Sequence, residues 1–184
     1  MPETKTKTKD LLGTKTEQNL WAAFANEAQT WMKYTFFADK AKTDGFSQIA
    51  DVFTKTADNE KEHAEIWFKL LKDGSVPDTL TNLKDAAGGE NYEWTSFYRV
   101  FADEAREDGF ADIAALFADV AAVEQNHENK FKELITDVQQ GKVFEKDCAV
   151  EWVCGKCGHT QTGAAAPETC PVCGHPKGYF EVKF

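Results

Sequence analysis

Glu60 and His63, and again Glu124 and His127, each place a carboxylate and an imidazole one helical turn apart on the same face. That is how a helix offers two ligands to a metal ion inside a bundle. The pairs lie 64 residues apart in near-copies of one sequence block, which implies two such helices and two ions. A second donor set closes the chain. Cys154-x-x-Cys157 and Cys170-x-x-Cys173 have the spacing of a tetrahedral thiolate site.

Two further helices should supply carboxylates at the same depth. Glu27 lies 18 residues before Gly45 and Glu90 lies 19 before Gly109. Glu93 follows Glu90 by one turn, where the first copy has Thr30, so a single extra carboxylate breaks the two-fold pattern. Any one helical glutamate is ordinarily a solvated surface residue. Five glutamates and two histidines on the apolar faces of four helices are different, because gathering unpaired carboxylates out of water is prohibitive unless cations neutralise them. Carboxylate and imidazole donors suit iron, manganese or zinc. The histidines disfavour calcium, and the number of protein ligands disfavours magnesium.

The elements that must position these groups follow from the repeat. Residues 44–72 align without a gap on 108–136: Asp44-Gly45-Phe46 on Asp108-Gly109-Phe110, Ile49-Ala50 on Ile113-Ala114, Phe53 on Phe117, and Ala57 on Ala121. Upstream, Tyr34 and Phe37-Ala38-Asp39 match Tyr98 and Phe101-Ala102-Asp103. Two helix–turn–helix units result, each turning at an Asp-Gly. Apolar residues recur at three- and four-residue steps through Ile49, Val52, Phe53, Thr56, Glu60, His63, Ile66 and Trp67, so the ionisable groups share the apolar face. The pattern predicts helices over 17–43, 46–73, 90–107 and 110–139, with residues 74–89 as a longer connection able to cross a bundle. Keeping Glu27 equivalent to Glu90 and Tyr34 to Tyr98 needs one additional residue between Glu90 and Tyr98, which predicts a π-bulge there.

The expected domains are a flexible segment 1–16, a four-helix domain 17–140, a linker 141–150 and a small domain 151–184. The last, about 35 residues rich in glycine, cannot bury enough surface to fold without a metal staple. Zinc ribbons use similar spacing, but a redox site next door would need electrons, which favours iron, with zinc as a substitute. Trp152, Tyr179 and Phe180 are expected as its small core, His159 and His175 at its surface, and Cys148 as a free thiol in the linker.

Bulk properties narrow the partners. With 21 Lys+Arg against 31 Asp+Glu, the formal charge is −10, which repels phosphate backbones and anionic membranes and argues against nucleic acid as a partner. No apolar run approaches the roughly 20 residues that span a bilayer. The Lys/Thr-rich start lacks the apolar core of a secretory signal, and metal-spaced cysteines suit a reducing compartment, so a cytoplasmic location is expected.

At this point the residues resemble a known family. Ala23-Phe24-Ala25-Asn26-Glu27, Asn59-Glu60-Lys61-Glu62-His63-Ala64, Gly89-Glu90-Asn91-Tyr92-Glu93-Trp94, Glu124-Gln125-Asn126-His127 and Cys170-Pro171-Val172-Cys173-Gly174-His175-Pro176 are similar to motifs of rubrerythrins. The resemblance implies an all-α, ferritin-like four-helix bundle followed by a small rubredoxin-like β/loop domain. It implies two iron ions in the helical domain and one iron on Cys154, Cys157, Cys170 and Cys173. It further implies that Glu27 and Glu90 are terminal ligands, that Glu60 and Glu124 bridge, that His127 binds permanently, and that Glu93 and His63 exchange with redox state. The charge count is consistent with that exchange, since oxidation favours the anionic Glu93 and reduction the neutral His63.

The implied activity is reduction of hydrogen peroxide to water; beside Glu93 and His63, the proton is expected from a ligand glutamate or from the matched Tyr34 and Tyr98, whose alternative role is packing. The implied electron source is a rubredoxin or flavin reductase linked to NAD(P)H, and the implied assembly a head-to-tail homodimer. Ferroxidase or iron-handling chemistry is the alternative, because ferritins share the bundle and its ligands.

Overall fold

The computed structural model describes residues 8–183. Most of the chain is helical: α1 (Thr8–Leu11), α2 (Lys15–Thr43), α3 (Ser47–Leu71), α4 (Thr79–Tyr92), a π-helical segment Glu93–Phe97, α5 (Tyr98–Glu107) and α6 (Ala111–Gln140). Three short strands follow, β1 (Glu145–Cys154), β2 (Thr160–Ala165) and β3 (Phe180–Val182). The chain divides into two compact units, one ending at Pro77 and the other beginning at Asp78. No helix among the described residues is long and apolar enough to cross a membrane.

The first unit is an antiparallel pair, α2 against α3. Thr14 caps α2 by accepting the Glu17 amide at 3.1 Å, which satisfies a donor that the helix itself cannot. At the other end Gly45 takes φ +85°, its N–H reaching the Lys42 carbonyl while the Phe46 N–H reaches that of Ala41 at 2.8 Å. This double closure satisfies the orphan carbonyls and reverses the chain. The seam is small: Ala38 and Ala41 of α2 meet the seven-residue row Ala50, Ala57, Ala64 and Leu71 of α3, all buried. Without side-chain bulk between them the two backbones approach closely.

The second unit repeats the plan. Gly109, at φ +86°, returns the chain with the same two hydrogen bonds, to Arg106 and from Phe110 to Ala105. Ala102, Ala105 and Ala114 are the buried seam residues. The repeat breaks in the helix upstream, where the Tyr98 N–H donates to the Glu93 carbonyl five residues back. This is the bulge expected between Glu90 and Tyr98, and it absorbs the one extra residue without ending the helix.

Several expectations need correction. The helix carrying Glu90 starts at Thr79, not near residue 90, so the connection is residues 72–78 and not 74–89. Asp78 caps that start by accepting the Thr81 amide at 3.0 Å, and Leu80, Leu83 and Ala87 give the helix an inward face, with Gly88 and Gly89 on the exposed side. The flexible segment expected over 1–16 contains α1, the buried Leu11 and the first residues of α2; residues 1–7 lie outside the described residues. Ile49 and Val52, with their counterparts Ile113 and Leu116, are exposed, because the alanine rows and not these residues form the hairpin seams.

The tail is a three-stranded antiparallel sheet in the order β2-β1-β3. It begins at Glu145, so Cys148 sits exposed in a strand, not in a linker. Its core is Trp152, Cys154, Ala166, Cys170 and Phe180, with the Trp152 indole donating to the Gly163 carbonyl at 3.0 Å. Tyr179, expected in that core, is exposed; His159 and His175 are half-buried, and the His175 ring packs edge-on against Tyr179.

An added Cβ at Gly45 or Gly109 would meet no atom within 4 Å, so only the left-handed backbone resists substitution. Gly45→Ala and Gly109→Ala should each lower unfolding free energy by about 1–2 kcal/mol. The two effects should sum in the double variant, as measured by denaturant unfolding.

Candidate metal centres

Each hairpin assembles one triad of donors. Glu27 on α2 joins Glu60 and His63 on α3; Glu90 on α4 joins Glu124 and His127 on α6. Within each triad the donor atoms lie within 4.8 Å of one another. His63 Nδ1 is 3.0 Å from Glu60 and 3.9 Å from Glu27; His127 Nδ1 is 2.7 Å from Glu124 and 3.7 Å from Glu90. Adjacent ligands at about 2.1 Å from a six-coordinate ion are roughly 3 Å apart, so the short contacts already have ligand spacing. The carboxylates are largely shielded while both imidazoles remain about half exposed.

The electrostatics ask for cations. The Glu27 carboxyl is raised above the ordinary carboxylate range by its hydrogen bond to Glu60, then by burial and by the Glu60 charge, with His63 opposing. Burial raises Glu90 in the same way, reinforced by the charge and hydrogen bond of Glu124 and by the charge of Glu93, with His127 opposing. Two carboxylates sharing one site cannot both ionise cheaply, and a divalent or trivalent ion removes that penalty.

Glu93 stands apart. It is the first residue of the π segment, half-buried, and outside the Glu90 triad, although its charge reaches both Glu90 and Tyr98. Tyr98, at the end of the same segment, has its phenol raised by burial and then by the charges of Glu93, Glu124 and Glu90. A phenol held that way keeps its proton and can donate it. Tyr34 occupies the matched place on α2, half-buried and packed against Phe37 and Phe53.

Sequence reasoning passed over Glu128. It is the one buried charged residue among the described residues, 3 % exposed. Asn91 Nδ2 donates to it at 3.0 Å, Trp94 Nε1 at 2.7 Å and Lys132 Nζ at 2.6 Å. Those bonds hold its carboxyl below the ordinary range, Lys132 contributing most and Trp94 next, against burial. The signal was present: in the repeat, Ala64 stands where the second copy has Glu128.

The four cysteines form the third centre. Sγ–Sγ distances are 3.7 Å for Cys154–Cys173 and 3.6 Å for Cys157–Cys170. A tetrahedral ion about 2.3 Å from each sulfur sets an edge of about 3.8 Å, so the donors fit one ion. Two matched knuckles bring them there. Gly158 and Gly174, at φ +74° and +71°, donate to the carbonyls of Cys154 and Cys170, while the Cys154 and Cys170 amides reach the carbonyls of His159 and His175. Burial pushes the Cys170 thiol up, yet the amides of Cys173 and Val172 and the neighbouring thiols outweigh it and bring it to about 6. At Cys173 the His175 amide lowers the thiol, but burial and the other three sulfurs drive it up to about 12. Four crowded thiols that cannot all ionise together again mark a site for a cation.

Comparison with known proteins agrees. A family model described as rubrerythrin matches residues 18–135. A second, for the rubrerythrin rubredoxin-like domain, matches residues 152–181. The chain belongs to the rubrerythrin family. It is 45 % identical to a rubrerythrin of Porphyromonas gingivalis, over 94 % of this chain and 92 % of that one. It is 46 % identical to a rubrerythrin of Clostridium perfringens, over 95 % and 97 %. A solved structure of nigerythrin in a mixed-valence state is 28 % identical, covering all of this chain and 91 % of that one, at a TM-score of 0.35, too low to bear on helix arrangement.

Rubrerythrins are oxidoreductases that work with redox partners, and the fold class is theirs: ferritin-like helices followed by a rubredoxin-like domain. The cofactors are a di-iron pair, for which carboxylates and imidazoles are the matching donors, and one iron for the four thiolates.

In metal-free protein, Glu27 and Glu90 bind protons more tightly folded than unfolded, so their contribution to stability falls as pH rises above the ordinary value of 4.5. Glu27→Gln and Glu90→Gln should therefore stabilise the metal-free protein at pH 7. The difference from the parent should close towards pH 4, as read by urea unfolding across pH.

Proposed function

We propose that this rubrerythrin-family chain is a non-haem di-iron peroxidase that reduces hydrogen peroxide to two waters, consuming two electrons and two protons. The observation that carries the reading is the joining, in one chain, of two matched carboxylate–imidazole triads to a four-thiolate site. A site that only stores metal has no use for an appended electron carrier. Glu27, Glu60, His63, Glu90, Glu93, Glu124 and His127 are the di-iron ligands, and Cys154, Cys157, Cys170 and Cys173 hold the third iron. When bound, the iron pair supplies two electrons and Lewis acidity to the O–O bond.

The chain's own residues do the rest. Glu60 and Glu124 bring the negative charge that balances two cations. Glu93, an anionic donor outside its triad, would suit the oxidised and more highly charged metal, and the His63 imidazole would suit the reduced one. Tyr98 holds a proton at its phenol oxygen for transfer to the leaving oxygen, and Tyr34 has the equivalent place in the first repeat. Cys154, Cys157, Cys170 and Cys173 would hold the iron that relays electrons, with a rubredoxin or flavin reductase linked to NAD(P)H as the source, in the cytoplasm.

The working form in this reading is a head-to-tail homodimer. From His127 to Gln140 is about 13 residues, or roughly 20 Å of helix, which carries the tail away from the ligands of its own chain. A second chain's tail then serves as the electron donor. The functional domains are the helical 17–140 and the thiolate domain, with its first strand starting at Glu145.

Stopped-flow re-oxidation of the reduced protein should run faster with peroxide than with oxygen; faster reaction with oxygen would favour the ferroxidase reading. Glu93→Ala should slow the peroxide reaction about tenfold or more, about 1.4 kcal/mol on the barrier, while iron content stays near that of the parent. Mixing chains that lack only the helical ligands with chains that lack only the cysteines should restore activity. Silence of the mixture would exclude transfer between subunits.

A further inference from the structure

The only buried charge among the described residues stands beside the site but outside every donor cluster. Glu128 occupies the alanine row of its hairpin, continuing Ala114 and Ala121 at seven-residue steps, where the first repeat continues Ala50 and Ala57 with Ala64. An ionised carboxylate in a helix seam is costly unless fully hydrogen-bonded, and this one is. Two of its three donors, Asn91 and Trp94, lie 37 and 34 residues away and flank Glu93 on either side. Trp94 belongs to the π segment, and Asn91 lies in the turn that enters it. In the first repeat, where there is no acid in the seam, α2 runs without a π segment from Lys15 to Thr43. The buried acid, the π segment and the extra carboxylate thus occur together, and in one repeat only.

We infer that Glu128 is a positioning residue: by accepting from Asn91 and Trp94 it pins the entry to the π segment and so sets where Glu93 stands relative to the Glu90 triad. This rests on Glu93 being a ligand, as proposed above. Asn91 and Trp94 are one turn apart and share a face, so bonding both to one carboxylate fixes the helix's rotation about its axis. Glu93 lies between them in sequence, outside the Glu90 triad, so the clamp acts on the backbone that carries it. A π turn has weaker backbone closure than an α turn, so a side-chain clamp at its start decides whether it persists. Lys132 neutralises the clamp from the solvent side.

The test uses the full-length protein, Glu128→Gln and Trp94→Phe. Gln offers one acceptor oxygen where Glu offers two, and Phe keeps the ring while removing the N–H, so each variant breaks part of the clamp with little change in volume. Amide hydrogen exchange in the metal-free protein should accelerate about tenfold or more across 93–98, with residues 28–35 of α2 unchanged as the internal reference. In the iron-loaded protein, the di-iron potential should shift upward, because a less well placed Glu93 stabilises the oxidised pair less. The potential of the four-cysteine iron should stay as in the parent. Unchanged exchange at 93–98, an equal rise in 28–35, or an unmoved di-iron potential beside loosened amides would each overturn the proposal. Neither readout uses peroxide, so a wrong peroxidase assignment would leave both outcomes interpretable. Should Glu128→Gln fail to fold, Trp94→Phe carries the test alone.

Discussion

Carboxylates held side by side on shielded helix faces set the terms for this protein. Glu60 raises the free-energy cost of ionising Glu27, burial and Glu124 raise that of Glu90, and burial with the neighbouring sulfurs does the same to Cys173 in the tail. The alanine seams of the hairpins and the matched knuckle turns bring these groups together. The accumulated repulsion is what gives each cluster its affinity for a cation. Structure and function are therefore in opposition until metal arrives: the features that make a good ligand set are unfavourable in its absence.

The two-fold repeat supplies two matched donor triads, and its single defect makes the second copy differ from the first. Two identical triads would give two equivalent ions. One inserted residue, taken up as the π segment Glu93–Phe97, gives the second copy a carboxylate, Glu93, that has no counterpart in the first and lies outside the Glu90 triad. Tyr98, at the end of that segment, has its phenol raised by burial and then by the charges of Glu93, Glu124 and Glu90.

Much of this was legible in the sequence, and what was not has physical reasons. The Asp-Gly turns, the Glu-x-x-His spacing and the extra residue before Tyr98 are local or periodic, so they survive without coordinates. The start of α4 was misplaced because Gly88 and Gly89 read as a loop; propensity is a weak prior, and the Asp78 cap with the Leu80–Leu83–Ala87 face overrides it. The entry into β1 was hidden because a strand that starts in polar residues has no hydrophobic signature. Glu128 went unnoticed since a lone acid gains meaning only from burial and from partners 34 and 37 residues distant. Tyr179 lies outside the core and the two knuckle histidines are half-buried for a similar reason: in so small a domain, burial is set by the turns that carry the residues and not by their polarity.

The tight reversal at Gly45 has a kinetic corollary. Because α2 and α3 are consecutive and joined by only three residues, their pairing can start beside the turn with little loop-closure entropy. The first hairpin can thus zip up on a nascent chain while the second half is still inside the ribosome. Glu27, Glu60 and His63 are then presented together before Glu90, Glu124 and His127 have been synthesised.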